Sequence, residues 1–318
     1  MKFIFAASLL STACASQAKF TEFKAKHAKT YESAEEESKR FAIFSENLDL
    51  VDARNKAELA LGGDAIHGVT KFSDMSQEEF VSFYNNFLPA PPKRENVLTG
   101  LPPVNGTDLV DWTGTLTTPV KDQAQCGSCW AFSATEQFES DIMRVTGTTL
   151  VLSPQQIVSC SKVNAGCNGG NTETAYSYVK RFGGQELESD YPYTSQRGVS
   201  GSCSSDAKKA AATMTGYTTV DGEDNMASYV SSTGPLSVCV DASTWNSYTG
   251  GVMKVCGSQI DHCVQAVGVM PDKSTGYWKV RNSWNTDWGE DGFIRLAFGK
   301  DTCALANDPT YLNDPTLL

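Results

Sequence analysis

Histidine is nearly missing: the 318-residue chain has three, His27, His67 and His262, so chemistry that needs an imidazole has few possible seats. Long hydrophobic runs are missing too. The stretch from Phe3 to Leu10 falls far short of the ~20 apolar residues of a membrane span, and no later stretch comes close, so no membrane partner is expected. Positive charge is scarce, with 26 Lys and Arg against 37 Asp and Glu, and the net charge of −11 repels a phosphate backbone. Nucleic acid is therefore not an expected partner. The one Cys-x-x-Cys, Cys126 to Cys129, has no second copy, no histidine at finger spacing and no strand-helix-strand pattern around it. A thioredoxin-like redox pair or half a zinc site stand as minor readings, and neither metal nor cofactor is expected.

What is present points elsewhere. Met1-Lys2, the short apolar run and Ala13-Cys14-Ala15 form a secretory signal over residues 1–15. Cleavage after Ala15 discards Cys14 and leaves nine of the ten cysteines, in a compartment where disulfides persist. An odd count leaves at least one thiol unpaired. Within Gln123 to Phe132, Cys129 falls at the first turn of an amphipathic helix, because Trp130, Phe132, Ala134, Phe138, Ile142 and Val145 recur at three- and four-residue intervals and Gly147 supplies a stop. Burial along one face is expected, with the N-terminus open to a cleft. Unpaired amides there stabilise a thiolate, which is a nucleophile.

Composition shifts near residue 90. Upstream, Glu36, Arg40, Ile43, Phe44, Asn47, Val51 and Asn55 make one stripe on a long helix. Pro89, Pro91, Pro92, Pro102 and Pro103 mark an exposed, irregular linker and cleavage zone. Downstream, Leu236 to Val240, Cys263 to Val269, Tyr277 to Arg281 and Phe293 to Ala297 read as strands bounded by turn residues. Asn105-Gly106-Thr107 is a glycosylation sequon near the junction.

Cys126-Gly127-Ser128-Cys129-Trp130 resembles the active-site signature of papain-type cysteine peptidases. The upstream stripe resembles the E-x3-R-x2-I/V-F-x2-N-x3-I-x3-N pattern of cathepsin L-like propeptides, with Val51 for isoleucine. Gly68 to Asp74 is similar to G-x-N-x-F-x-D, with Thr70 for asparagine. From Asp111 to Asn307 the chain resembles the peptidase body. The resemblance implies a two-lobed α+β papain-like fold, a helical lobe facing a β-barrel-like lobe. It also implies an inhibitory pro-domain over residues 16–104, whose tail crosses the cleft backwards, and a peptidase over 105–318.

Thiolate catalysis needs a base that later serves as acid. His27 and His67 lie in the pro-segment, so His262 is the remaining candidate. By resemblance, Asn282 orients His262, Trp284 covers that bond, and Gln123 with the Cys129 amide forms the oxyanion hole. Ala124 and Asn285 stand where glycines are customary. Gly169 and Gly170 resemble the strip that pairs with substrate backbone. Asn171, Thr172, Cys239, Cys263 and Asp308 resemble residues of the second specificity pocket, S2, where an acid would add Arg or Lys to hydrophobic preferences. The resemblance pairs Cys126 with Cys167, Cys160 with Cys203, and Cys256 with Cys303. Cys239 and Cys263 are left over, and two packed thiols are expected in preference to a fourth bridge.

The implied function is a cysteine endopeptidase made as a zymogen, acting on protein and peptide substrates, with its own propeptide as intramolecular inhibitor. A monomer is expected, in the secretory pathway and destined for a lysosome- or vacuole-like acidic compartment or for secretion. A dead-peptidase binding module would lack one of Cys129, His262, Asn282 or Gln123, and all four stand. A thiol-disulfide oxidoreductase is the other rival. An exopeptidase would need an insert closing the cleft, and none is evident around Cys160 to Cys203.

Overall fold

A computed structural model describes residues 15–89 and 96–318. The signal-peptide expectation for Met1 to Cys14 and the linker prolines Pro91 and Pro92 lie outside the described residues.

Three apolar cores organise the chain. The smallest joins Phe20 and Phe23, in the helical stretch 15–26, to Phe44 of the helix Ala34–Ala60. That long helix starts at Ser33, whose side chain accepts the Glu36 amide, and three acidic residues in its first turn oppose the helix dipole. The expected stripe is a row of anchors. Arg40 pairs with Glu36 and with Glu79, and donates to the Asp74 carbonyl. Asn47 donates to the carbonyls of Ser73 and Met75, and Asn55 exchanges two bonds with the His67 backbone.

A second core lies among the helices Cys129–Thr146, Pro154–Cys160 and Thr172–Phe182. A third, larger core lies beneath a mixed sheet and takes in Phe72, Phe80 and Tyr84 of the pro-segment. Among the described residues, nine strands form that sheet. Leu236–Val240, Tyr277–Arg281 and Phe293–Ala297 have the expected bounds, and His262–Met270 sits between the first two. The α+β, two-lobed class holds.

The structure departs from expectation at three places. The linker is not uniformly irregular: Val97–Leu98 adds a parallel strand against Gly216–Val220, and Leu101 packs on the large core. Backbone hydrogen bonding at a sheet edge needs no side-chain pattern, so the prolines hid it. The helix Cys129–Thr146 ends at Gly147 as expected, with φ 70°, but every residue from Cys129 to Met143 is buried. It is sandwiched between the helical core and the sheet, and its sheet-facing side is polar. Ser133 bonds Ser237, and Gln137 and Ser140 bond Gln265. A periodicity of apolar residues could register only the other side.

Third, Cys239 and Cys263 form a fourth disulfide, beside the three expected pairs, and Cys129 alone is free among the described residues. They are direct cross-strand partners, with Cα atoms 4.0 Å apart. Register between two strands 24 residues apart is a tertiary property.

Candidate active site

Cys129 opens the central helix after Ser128, whose hydroxyl makes no cap bond to the helix amides. The first-turn donors thus remain unengaged by a side chain. His262 starts its strand with its ring fully buried, 4.8 Å from the Trp284 ring and 6.1 Å from the Trp245 ring, measured between centroids. Its Nε2 lies 2.8 Å from Asn282 Oδ1. An amide oxygen only accepts, so Nε2 carries the proton and Nδ1 of the neutral ring offers a lone pair. Nδ1 has no hydrogen-bond partner.

Two loops carry the remaining groups and are zipped together. Gln123 N donates to Ser283 O, and Asn285 N donates to Lys121 O. The Ser283 hydroxyl donates to Gln123 Oε1 at 2.7 Å, which turns the Gln123 amide nitrogen toward the cleft. Ala124 and Asn285 both have left-handed backbone, φ 50° and 64°. These are conformations glycine adopts freely; asparagine tolerates them, and alanine does so at a cost of about 1 kcal/mol. The loop geometry survives both departures from the family pattern. Ser283 is the residue the sequence reading missed. It stands between two motif residues, and a hydroxyl there is the one signal available.

The pro-segment fills the cleft. Gln123 Nε2 donates to Tyr84 O at 3.2 Å, and the same carbonyl lies close enough to His262 to favour its protonated form. Asn86 O accepts from Gly170 N at 3.2 Å, Leu88 N donates to Gly170 O at 2.8 Å, and Phe87 pairs in parallel with Gly170. A Cβ on Gly169 would stand 2.5 Å from Asn86 O, so this close passage requires glycine. Asn85 Nδ2 reaches Asp261 Oδ2. Trp284 is wholly covered, with Phe72, Phe80 and Tyr84 edge-on to it.

This plug sets the charge state. Burial pushes the Cys129 thiol up to about 11, although the amides of Cys263 and Asn86 point at it and favour the thiolate. Burial pulls His262 down to about 4. With the pro-segment docked, sulfur and imidazole are both neutral at neutral pH. The expected helix-start thiolate loses here to desolvation, the larger effect in a water-free site.

Of the other expected residues, Asn171 caps the helix Thr172–Phe182 by accepting the Glu173 and Thr174 amides, and Thr172 is buried behind it. Asp308 is half-buried near that helix's Tyr176, whose phenol its charge helps to raise. Cys263 lies one step along the strand from His262 with Cys239 opposite it on the neighbouring strand, both fully buried. Gln123, Cys129, His262, Gly169 and Gly170 thus meet one five-residue stretch of pro-segment, and Asn282 joins them through His262.

Residues 107–313 match the papain family cysteine protease domain, and residues 20–80 match the cathepsin propeptide inhibitor domain. A cysteine proteinase of Trypanosoma brucei brucei is 39% identical over 300 residues, covering 90% of this chain, which spans 65% of that relative's length. Cysteine proteinase 1 of Dictyostelium discoideum is 36% identical, covering 92% of this chain and 91% of its own. Digestive procathepsin L2 proteinase from Tenebrio molitor larval midgut superposes with a TM-score of 0.84 at 30% identity, over 94% of this chain and 99% of that one. A plug of pro-segment on a free cysteine, with the propeptide domain upstream of it, is the zymogen arrangement, and the chain belongs to the papain family of cysteine proteases as a proenzyme with a cathepsin-type inhibitory propeptide.

Proposed function

We propose that the protein is an endopeptidase in which Cys129 is the nucleophile, His262 the base and acid, Asn282 the group that orients His262, and Gln123 an oxyanion donor. The observation that carries this reading is the Tyr84 carbonyl held against both Gln123 Nε2 and His262, where a substrate carbonyl would sit. Residues 16–104 act as the inhibitor, and activation removes them after the signal at 1–15 is cleaved. Water then re-enters the cleft. The Nδ1 lone pair takes the Cys129 proton, and the thiolate adds to the substrate carbonyl. Gln123 Nε2 and the Cys129 amide hold the oxyanion. His262 then protonates the leaving amine as the thioester forms, and it deprotonates the water that hydrolyses that thioester.

Gly169 and Gly170 pair with substrate backbone as they now pair with Asn86 and Leu88, with Trp284 sheltering the His262–Asn282 bond. Asn171, Thr172, Cys239, Cys263 and Asp308 form the S2 region, apolar with an acid at its floor. Turnover of both Phe-Arg and Arg-Arg fluorogenic peptides is expected, and no Arg-Arg cleavage at any pH would remove Asp308 from that role. The protein works as a monomer on protein substrates, in an acidic vacuolar compartment or after secretion; four disulfides support a secretory route. Replacing Cys129 by Ala should abolish peptide hydrolysis and leave the zymogen folded. Peptide hydrolysis at the wild-type rate would overturn the assignment.

A further inference from the structure

We propose that the Cys239–Cys263 disulfide is a positioning element of the catalytic centre, fixing the backbone that carries His262 and aiming the Cys263 amide at the Cys129 sulfur. This rests on the reading of Cys129 and His262 given above.

The bridge joins the second rung of the ladder, directly after the His262–Val240 rung at which the strand begins. Before His262, residues 254–260 have no regular structure and are held by the Cys256–Cys303 bridge and single hydrogen bonds, so the ladder itself starts at the rung that bears the imidazole. The Cα separation of 4.0 Å is near the short spacing of a rung without mutual hydrogen bonds. The Cys263 amide is therefore free of that ladder, and it points at the Cys129 sulfur.

Side-chain direction places the bridge on the helix-facing side of the sheet. Val238, Val240 and Val264 alternate into the large core. Ser237 and Gln265 face the central helix, where they bond Ser133 and, a turn further, Gln137 and Ser140. Cys239 and Cys263 share that face, level with the turn that begins at Cys129. The disulfide is the covalent link on this face, beside the polar bonds of Ser237 and Gln265. Opening it by a dithiol consumes two reductant thiols and returns two cysteine thiols, releasing the rung beside His262.

Non-reducing peptide mapping should first recover the Cys239–Cys263 crosslink; free thiols at both positions would overturn the proposal. The mature form of a Cys239→Ala/Cys263→Ala double variant, and of a bulkier Cys239→Val/Cys263→Ala variant, should then show kcat lowered about tenfold, whatever the altered S2 lining does to KM. The C2 proton of His262, the one histidine of the mature body, should titrate at a shifted pH by NMR. Unchanged kcat and an unchanged His262 titration would overturn the proposal, as would failure of both variants to fold, which marks a purely structural bridge. If Cys129→Ala is inactive while these variants match wild type, this inference fails alone; an active Cys129→Ala would instead sink the assignment beneath it.

Discussion

Gln123 shows how a single side chain acquires a role from its neighbours. Its amide oxygen accepts from Ser283 and its nitrogen faces the Tyr84 carbonyl, so one rotamer is fixed before any substrate arrives. Preorganised donors of this kind contribute about 2.7–4 kcal/mol to transition-state stabilisation. In the mature enzyme Gln123→Ala should lower kcat by about 10²–10³-fold with little change in KM. A variant within threefold of wild type, by initial rates on a Phe-Arg substrate, would exclude Gln123 from the oxyanion site. Cys129, His262, Asn282 and Gln123 could be proposed from the sequence because each lies in a long local match. Ser283 could not, since a serine's value depends on what its hydroxyl faces.

Among the elements, the pro-segment turn Gly68 to Asp74 and the helix Gln77–Tyr84 form the lid that keeps the cleft shut. The helix is closed at its start by a full capping box between Ser76 and Glu79. Phe72 is the hinge pin: buried among Phe80, Tyr84 and Trp284, with ring centroids 4.7 to 5.4 Å away. Truncating a buried phenylalanine costs about 3–5 kcal/mol. Phe72→Ala should therefore weaken docking and give a zymogen active at a pH where wild type stays latent, read as the onset of peptidase activity after purification. Unaltered latency would mean that the backbone contacts at Gly170 hold the plug unaided. The long pro-helix and four strands were legible from period and β-branched content. The short helices Pro154–Cys160 and Glu223–Ser232 and the edge strand Val97–Leu98 were not, because pairing and packing rather than pattern define them.

Across the whole molecule, latency is coupled to pH. His67, buried against Ser247 and beside the Arg54 charge, is pulled from its usual 6.5 to about 4, as is His262 beneath the plug. Each binds its proton more weakly when closed than when open, so their contribution to closure is complete above pH 6.5 and is lost as pH falls toward 4. Burial raises Asp261 from 3.8 to about 7, so this carboxyl favours closure as pH falls and offsets one histidine. The balance is about one proton, or at most a tenfold shift toward opening per pH unit. His67→Gln should flatten the rate of activation between pH 6.5 and 4. A slope equal to wild type would show that other groups drive opening. What the sequence determined alone was the family, an inhibitory propeptide followed by a cysteine protease, and the residues proposed to react, because local motifs and periodicity are carried by neighbours along the chain. The tertiary structure decided the neutral state of Cys129 and His262, the bridge between Cys239 and Cys263, and the polar seam around the central helix. Desolvation, strand register and burial depend on which distant segments meet, and no residue encodes that by itself.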